Sequence, residues 1–402
     1  MLYVSDTIFL VFAFITLYFM IFFMLVNFSR DKSAPKEDML RSISFLIPAH
    51  NEEESITTTV RSILETDYPA KLKEIIVIDD GSRDKTASLA RKAGAKVYSI
   101  SNRGKAAALN FGLKKAGGEF VVSVDADSKL TAGCVREAMR YFRDKEVAAV
   151  TASILADNRK GLLARLQEFE YIMIGWARKN LEHVEGVFVT PGPMSIYKKN
   201  ILNKLGGFDE KNLTEDIEIA WRILKNGYKI RMANDAIVYT QVPTQIRYWW
   251  RQRTRWNIGG LQTLNKYKMD MFRRPGSFSM FVIPFFVFSL LISVTGLSVG
   301  VLLTADWALS TMRYMTTAYG VGADITRNME FVILPNIFAV FGIGIFILSL
   351  IYSKMNFSFY NRKFTQKKDY LVMFIYLAFY ISVFPLLLVH SIIKMLMGKR
   401  EW

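Results

Sequence analysis

Asp125 and Asp127 stand two residues apart where a hydrophobic run, 119–124, stops. If the strand persists that far, its period of two puts both carboxylates on one face. Paired hard oxygen donors suit Mg²⁺ or Mn²⁺, ions that can also bridge a diphosphate. Alone, an Asp-x-Asp reads equally as a turn. Asp79-Asp80-Gly81-Ser82 ends a second run, 74–79, and offers either a turn or an acceptor for a base or ribose. Lys105 follows Asn102-Arg103-Gly104 and heads a helical segment, where an ammonium and a helix N-terminus can meet a phosphate. Thr214-Glu215-Asp216 opens a helix, 216–225. Thr214 suits its N-cap, and early acids complement its dipole. The same Asp216, ionised at neutral pH, can take a proton from a hydroxyl.

The segment 245–256 carries four arginines and four aromatics, the pattern of an amphipathic helix at a bilayer interface. Most of its cations are expected to face lipid or solvent. Gln252, Arg255 and Trp256 fall at i, i+3 and i+4, hence on one face. Arginine suits a diphosphate leaving group and an indole suits a sugar ring.

The elements that must position these groups alternate. Short apolar runs at 43–48, 74–79, 96–100, 119–124 and 147–154 have amphipathic segments 54–65, 84–93 and 105–116 between the early ones. Strands alternating with helices predict a mostly parallel sheet covered on both faces. Ligands of such sheets sit beyond the strands' carboxyl ends, and that is where the acids fall. No Gly-rich dinucleotide fingerprint or P-loop follows the first run.

Stretches 7–29, 275–305, 331–353 and 370–393 are nearly free of charge. A bilayer core of about 30 Å needs roughly 20 apolar residues, so each is predicted to span. The first reads as a retained helix: Asp6 precedes it, and it is longer than a signal-peptide core. The net charge of +16 is read as Lys and Arg flanking spans on the cytoplasmic side: Arg30, Lys32, Arg273, Arg274, Arg362, Lys363, Lys367 and Lys368. This places the central domain in the cytoplasm and the 305–330 loop outside. Lys394, Lys399 and Arg400 then run against the rule, and Pro385 is a candidate kink in the last helix. A single cysteine, Cys134, excludes an internal disulfide framework. Acids at the strand ends disfavour a nucleic-acid groove, so no nucleic-acid partner is expected.

Asp-Asp-Gly-Ser, Asp-x-Asp, Thr-Glu-Asp and Gln-x-x-Arg-Trp, in that order between residues 45 and 260 and flanked by apolar spans, resemble glycosyltransferase family 2. Within it the pattern looks like the membrane synthases of poly-N-acetylglucosamine, hyaluronan and chitin, and less like cellulose synthase. The resemblance implies an α/β GT-A domain inserted between transmembrane α-helices, and single-displacement inversion. It assigns Pro48, His50, Glu52, Asp79, Asp80, Lys105 and Asp125 to the nucleotide sugar. Asp125 and Asp127 would hold Mn²⁺ or Mg²⁺, and Asp216 would be the base, with Glu215 beside it in the catalytic motif. Gly192, Gln252, Arg255 and Trp256 would face acceptor and diphosphate. His50 stands where the family commonly has tyrosine, which loosens any assignment of the base.

The implied organisation is a transmembrane helix at 1–30, a cytoplasmic catalytic domain at 40–240, interface helices at 241–272 and a membrane region of about three helices at 275–402. The expected protein is integral to the cell membrane. It polymerises a β-linked glycan, with UDP-N-acetylglucosamine as the expected donor. The alternative is a single transfer from a UDP- or GDP-sugar to a polyprenyl phosphate or other lipid. Three C-terminal spans are few for an export channel, so an accessory subunit or homo-oligomer is expected. A transporter with a regulatory domain would need ionisable residues inside the spans, and only His390 lies there.

Overall fold

The computed structural model describes residues 4–29, 36–273, 276–322, 337–359 and 367–398. Of the flanking charges, Arg30, Lys32, Arg274, Arg362, Lys363, Lys399 and Arg400 lie outside the described residues. Eight strands form one sheet: β1 (Ile43–Ala49), β2 (Lys73–Asp80), β3 (Lys96–Ile100), β4 (Phe120–Ser123), β5 (Ser128–Leu130), β6 (Val147–Ala156), β7 (Ser195–Lys198) and β8 (Lys229–Thr240). Their order is β3-β2-β1-β4-β7-β6-β8-β5. The expected parallel half is β3-β2-β1-β4. The sheet is mixed, because β7 inserts antiparallel between β4 and β6, and β5 pairs antiparallel with β8.

The run that forms β1 is buried on both sides, and its residues divide by parity. Phe45 and Ile47 pack with Val77, Val122 and the helix Ile56–Leu64. Leu46 packs with Ile76, Ile78, Val121 and the helix Lys105–Lys115. Two layers of helices therefore cover one sheet, as a strand's period of two requires. The second layer also takes Ile219, Ala220 and Trp221 of the helix Glu215–Lys225. β2, β1 and β4 are neighbours and parallel, so their carboxyl ends share one edge.

The segment rich in Arg and aromatics is the helix Ile246–Tyr267. It crosses the start of the helix Glu215–Lys225 closely: a Cβ at Gly259 would collide with the Thr214 side chain. Below that contact Glu218, fully buried, accepts from Lys266 Nζ and Tyr267 Oη, each at 2.6 Å, and pairs with Arg222.

Among the described residues, Phe278–Gly320 is long and apolar enough to cross a bilayer by length and composition. Lys368–Tyr380 and Val383–Leu396 meet the same criterion only as a pair bent by 41°, while Leu10–Phe22 and Gly342–Phe357 are shorter apolar pieces. One expectation changes, and the candidate kink at Pro385 is met by a bend. The loop expected from 305 is helical through Gly320, because Asp306 and Arg313 interrupt the apolar composition without breaking the helix. At 1.5 Å per residue its 43 residues span about 65 Å, roughly twice a bilayer core. The last helix bends at Ile381–Ser382, four residues before Pro385, where the missing proline N–H and the ring clash break the backbone ladder.

Gly259→Ala should lower stability by about 1–3 kcal/mol through overpacking against Thr214. Thermal unfolding of the purified protein checks this; an unchanged midpoint would show that the two helices are free to separate.

Candidate active site

The edge is built by its own acids. Both Asp80 carboxylate oxygens accept backbone N–H groups, of Arg103 and Gly104, each at 2.8 Å. This clamps the loop that delivers Lys105 to the first turn of its helix. Asp79 Oδ1 accepts the Ser82 N–H at 3.0 Å. His50 Nδ1 lies 2.8 Å from the Asp80 carbonyl, which can only accept, so this nitrogen carries the proton. Pro48 is paired with Ile78 inside the sheet. Burial raises the Glu52 carboxyl, Ser55 donates to it at 2.7 Å in opposition, and Asp125 adds repulsion. None of these five predicted residues lines the cavity that gathers the others.

That cavity, of about 250 Å³, brings together Lys105, Asp125, Asp127, Gly192, Glu215, Asp216, Gln252, Arg255 and Trp256. β4 ends at Ser123, so Asp125 and Asp127 do not share a strand face. A turn closed by the Ser128 N–H on the Asp125 carbonyl (3.0 Å) carries both into the cavity instead. Lys105 Nζ sits 2.5 Å from Asp125 Oδ1 and 3.1 Å from Glu215 Oε1. Burial works against this ammonium, but Asp125, Glu215 and Asp216 together hold it firmly protonated. Burial likewise opposes ionisation of Glu215, and Lys105 overcomes it, keeping the carboxyl below its ordinary range.

The next two acids are left with too little positive charge. Asp216 is pushed up to about 7 by burial and by Glu215, with Lys105 only partly compensating. Asp127 is pushed up to about 7 by burial, Asp125 and Glu52, against a 3.2 Å hydrogen bond from the Thr240 hydroxyl. The backbone under Asp216 is fixed, its carbonyl accepting both the N–H and the hydroxyl of Thr190.

Thr190 begins the loop that carries Gly192. A Cβ there would overlap Lys105 Nζ and stand 2.6 Å from both Asp125 carboxylate oxygens. Only a glycine lets the main chain come this near the charged pair. The donor set fits a small divalent cation: Asp125 and Asp127 supply hard oxygens, and Asp127 carries charge that its surroundings leave uncompensated. Among the described residues no group of three or more metal-ligating side chains forms.

Residues 44–206 match the family described as Glycosyl transferase family 2. The probable glycosyltransferase YdaM of Bacillus subtilis is 30% identical over 322 residues, covering 72% of this chain and 77% of that protein. The chain belongs to glycosyltransferase family 2. It is a glycosyltransferase, and its mixed sheet with helices on both faces is the GT-A fold. A poly-beta-1,6-N-acetyl-D-glucosamine synthase of Staphylococcus epidermidis is 33% identical over 236 residues, 57% of each chain. The match thus spans little more than half of that relative. The mannosyltransferase PcManGT of Pyrobaculum calidifontis, solved with GDP-Man and Mn²⁺, shares the fold over 99% of this chain and 100% of its own, with a TM-score of 0.65 and 20% identity.

The cavity of this family 2 enzyme also has walls the sequence reading missed. Thr240 ends β8, and the strand-end rule applied to 229–240 would have found it. Tyr171, Ile174 and Arg178 come from the helix Leu162–Glu182 at i, i+3 and i+7. No local motif marks them; only the tertiary packing turns that face inward.

Gly192→Ala should displace Lys105 and Asp125 and cut turnover about 100-fold, the order expected for ~1 Å misplacement. Its unfolding midpoint should stay near wild type, because the displaced groups reach solvent. Turnover within a few-fold of wild type would show that the glycine is not needed for the close approach.

Proposed function

We propose that this chain is an inverting synthase that adds N-acetylglucosamine from UDP-N-acetylglucosamine to a growing β-linked glycan at the cell membrane. The observation that carries the reading is the meeting, in one cavity, of the Lys105–Asp125–Glu215 ion cluster with Asp216 and with Gln252, Arg255 and Trp256. The similarity to a poly-beta-1,6-N-acetyl-D-glucosamine synthase supports the choice of sugar and product. In this reading residues 40–240 form the cytoplasmic catalytic domain, 241–272 lie at the membrane interface, and 1–30 and 275–402 embed the chain. Membrane lipids surround those segments, and an accessory subunit or second copy completes the export path.

Pro48, His50, Glu52, Asp79 and Asp80 shape the nucleoside side, and Lys105 meets the diphosphate. Asp125 and Asp127 would hold Mn²⁺ or Mg²⁺, which when bound offsets diphosphate charge; the Mn²⁺ of the mannosyltransferase structure supports this. Asp216, its pKa kept high by burial and by Glu215, takes the proton of the acceptor hydroxyl. That oxygen attacks the anomeric carbon from the face opposite the diphosphate. The bond to the diphosphate breaks with its electron pair on the departing oxygen. An α-linked donor therefore gives a β-linked product. Lys105 and Arg255 oppose the charge that develops on the leaving group. Gly192, Gln252 and Trp256 line the acceptor side.

Purified protein in lipid, given radiolabelled UDP-N-acetylglucosamine and Mn²⁺, should make a long polymer sensitive to a β-specific glycosidase. A single sugar on lipid would replace this reading with lipid glycosylation, and inert donors would remove it. Asp216→Asn should lower kcat by about 10²–10⁴. Because the base must be ionised and its carboxyl sits near 7, kcat/KM should rise with pH through about 7 and level off above. An acid limb near the ordinary carboxylate range would exclude Asp216 as the base. Removing divalent ions with EDTA should abolish transfer, and Mn²⁺ should restore it; full activity in EDTA would rule out the cation.

A further inference from the structure

Of the four arginines on the helix Ile246–Tyr267, Arg247, Arg251 and Arg255 are exposed, but Arg253 is 2% exposed. Its Nε and Nη2 donate to the two carboxylate oxygens of Glu170 at 2.9 and 2.6 Å. Nη1 donates to Gln252 Oε1 at 2.5 Å. The guanidinium stands 4.0 Å from the centroid of the Trp256 ring and 5.8 Å from that of Tyr171. A planar fork on a carboxylate, with its face on an indole, is a geometry that lysine does not reproduce.

Two consequences reach the cavity. A guanidinium only donates, so the Gln252 oxygen must face it, and the amide NH₂ becomes the group left for the cavity. The cation over Trp256 fixes the plane of an indole that would otherwise turn about two side-chain torsions. Glu170, itself 2% exposed on the helix Leu162–Glu182, is fixed from a further element. Tyr380 Oη donates to Glu170 Oε2 at 2.8 Å and accepts from Trp249 Nε1 at 2.6 Å. Tyr380 is the last residue before the bend at Ile381–Ser382.

We infer that Arg253 is a positioning residue: it sets the Gln252 amide and the Trp256 indole for the acceptor, and is itself held by Glu170 and Tyr380. The inference rests on the reading of Gln252 and Trp256 as acceptor-side groups given above. It also ties acceptor affinity to the bend of the C-terminal helix pair, through one unbroken chain of hydrogen bonds.

The test uses the full chain in lipid, UDP-N-acetylglucosamine as donor and a β-1,6-linked N-acetylglucosamine tetramer as acceptor. Arg253→Lys should raise the tetramer KM about tenfold and the donor KM by less than about twofold. Tyr380→Phe, which removes one hydroxyl and keeps the fork, should raise the tetramer KM about threefold, and it decides the matter where Arg253→Lys is not recovered folded. With Trp256→Ala already present, the Arg253→Lys increment should shrink to the part carried by Gln252, since the effects of neighbours acting through one group are not additive. A purely structural role would lower the yield of active protein and leave both KM values alone. The inference is overturned if both variants keep the tetramer KM within about twofold of wild type, or if the Arg253→Lys increment survives in full without Trp256. Should Trp256→Ala alone leave the tetramer KM unchanged, the acceptor-side reading fails and the inference goes with it.

Discussion

One ammonium in a cavity of carboxylates is the constraint around which this molecule is arranged. Lys105 stands between Asp125, from the turn after β4, and Glu215, from the first turn of the helix Glu215–Lys225. It joins groups that lie 90 residues apart in the chain. Bringing these acids together without it would leave several like charges in a poorly solvated space, where each repulsion is stronger than in water. Yet one cation cannot balance them all. Asp125 and Glu215 take most of it, and Asp127 and Asp216 keep the deficit. The imbalance gives a site that attracts positive charge on one side and a proton on the other.

Such a cluster is useful only if it cannot relax, and the surrounding contacts prevent that. Asp80 spends both oxygens on the loop before Lys105, so the ammonium cannot withdraw without breaking two charge-assisted hydrogen bonds. Thr190 holds the Asp216 carbonyl, and the near contact of Gly259 with Thr214 presses the next helix onto the same turn. Buried Glu218 completes the clamp with donors from both helices. A buried carboxylate of this kind contributes little net stability, but breaking it would leave an unpaired charge, so it fixes geometry.

The parts that were legible in the sequence are those governed by local rules. The runs at 43–48, 74–79 and 96–100 became β1, β2 and β3, because their hydrophobic periods and the acids that end them are local signals. The antiparallel strands β5 and β7 escaped, since Ser128–Leu130 and Ser195–Lys198 mix polar with apolar residues and depend on partners far along the chain. Asp79 and Asp80 offered either a turn or a ligand group; in the structure Asp79 Oδ1 and both Asp80 oxygens accept backbone N–H groups, and type and spacing alone do not separate the two uses. Arg253 is the plainest case. Amid alternating arginines and aromatics it looks like its exposed neighbours, and only Glu170, 83 residues away, distinguishes it.

The helix Leu162–Glu182 explains why the cavity and the apolar C-terminal helices cannot be treated as separate structures. One face sends Tyr171, Ile174 and Arg178 into the cavity wall. The other packs Phe169, Ile172 and Trp176 against Phe357, Tyr376 and Tyr352. A rigid helix transmits a tilt imposed at one face to the other, because packed interiors have no slack to absorb it. The same helix carries Glu170, whose charge is shared between Arg253 on the cavity side and Tyr380 beside the helix bend. Packing and hydrogen bonding thus run along the same path. A displacement of the C-terminal helices would therefore bear both on the Tyr380–Glu170 hydrogen bond and on the helix that walls the cavity.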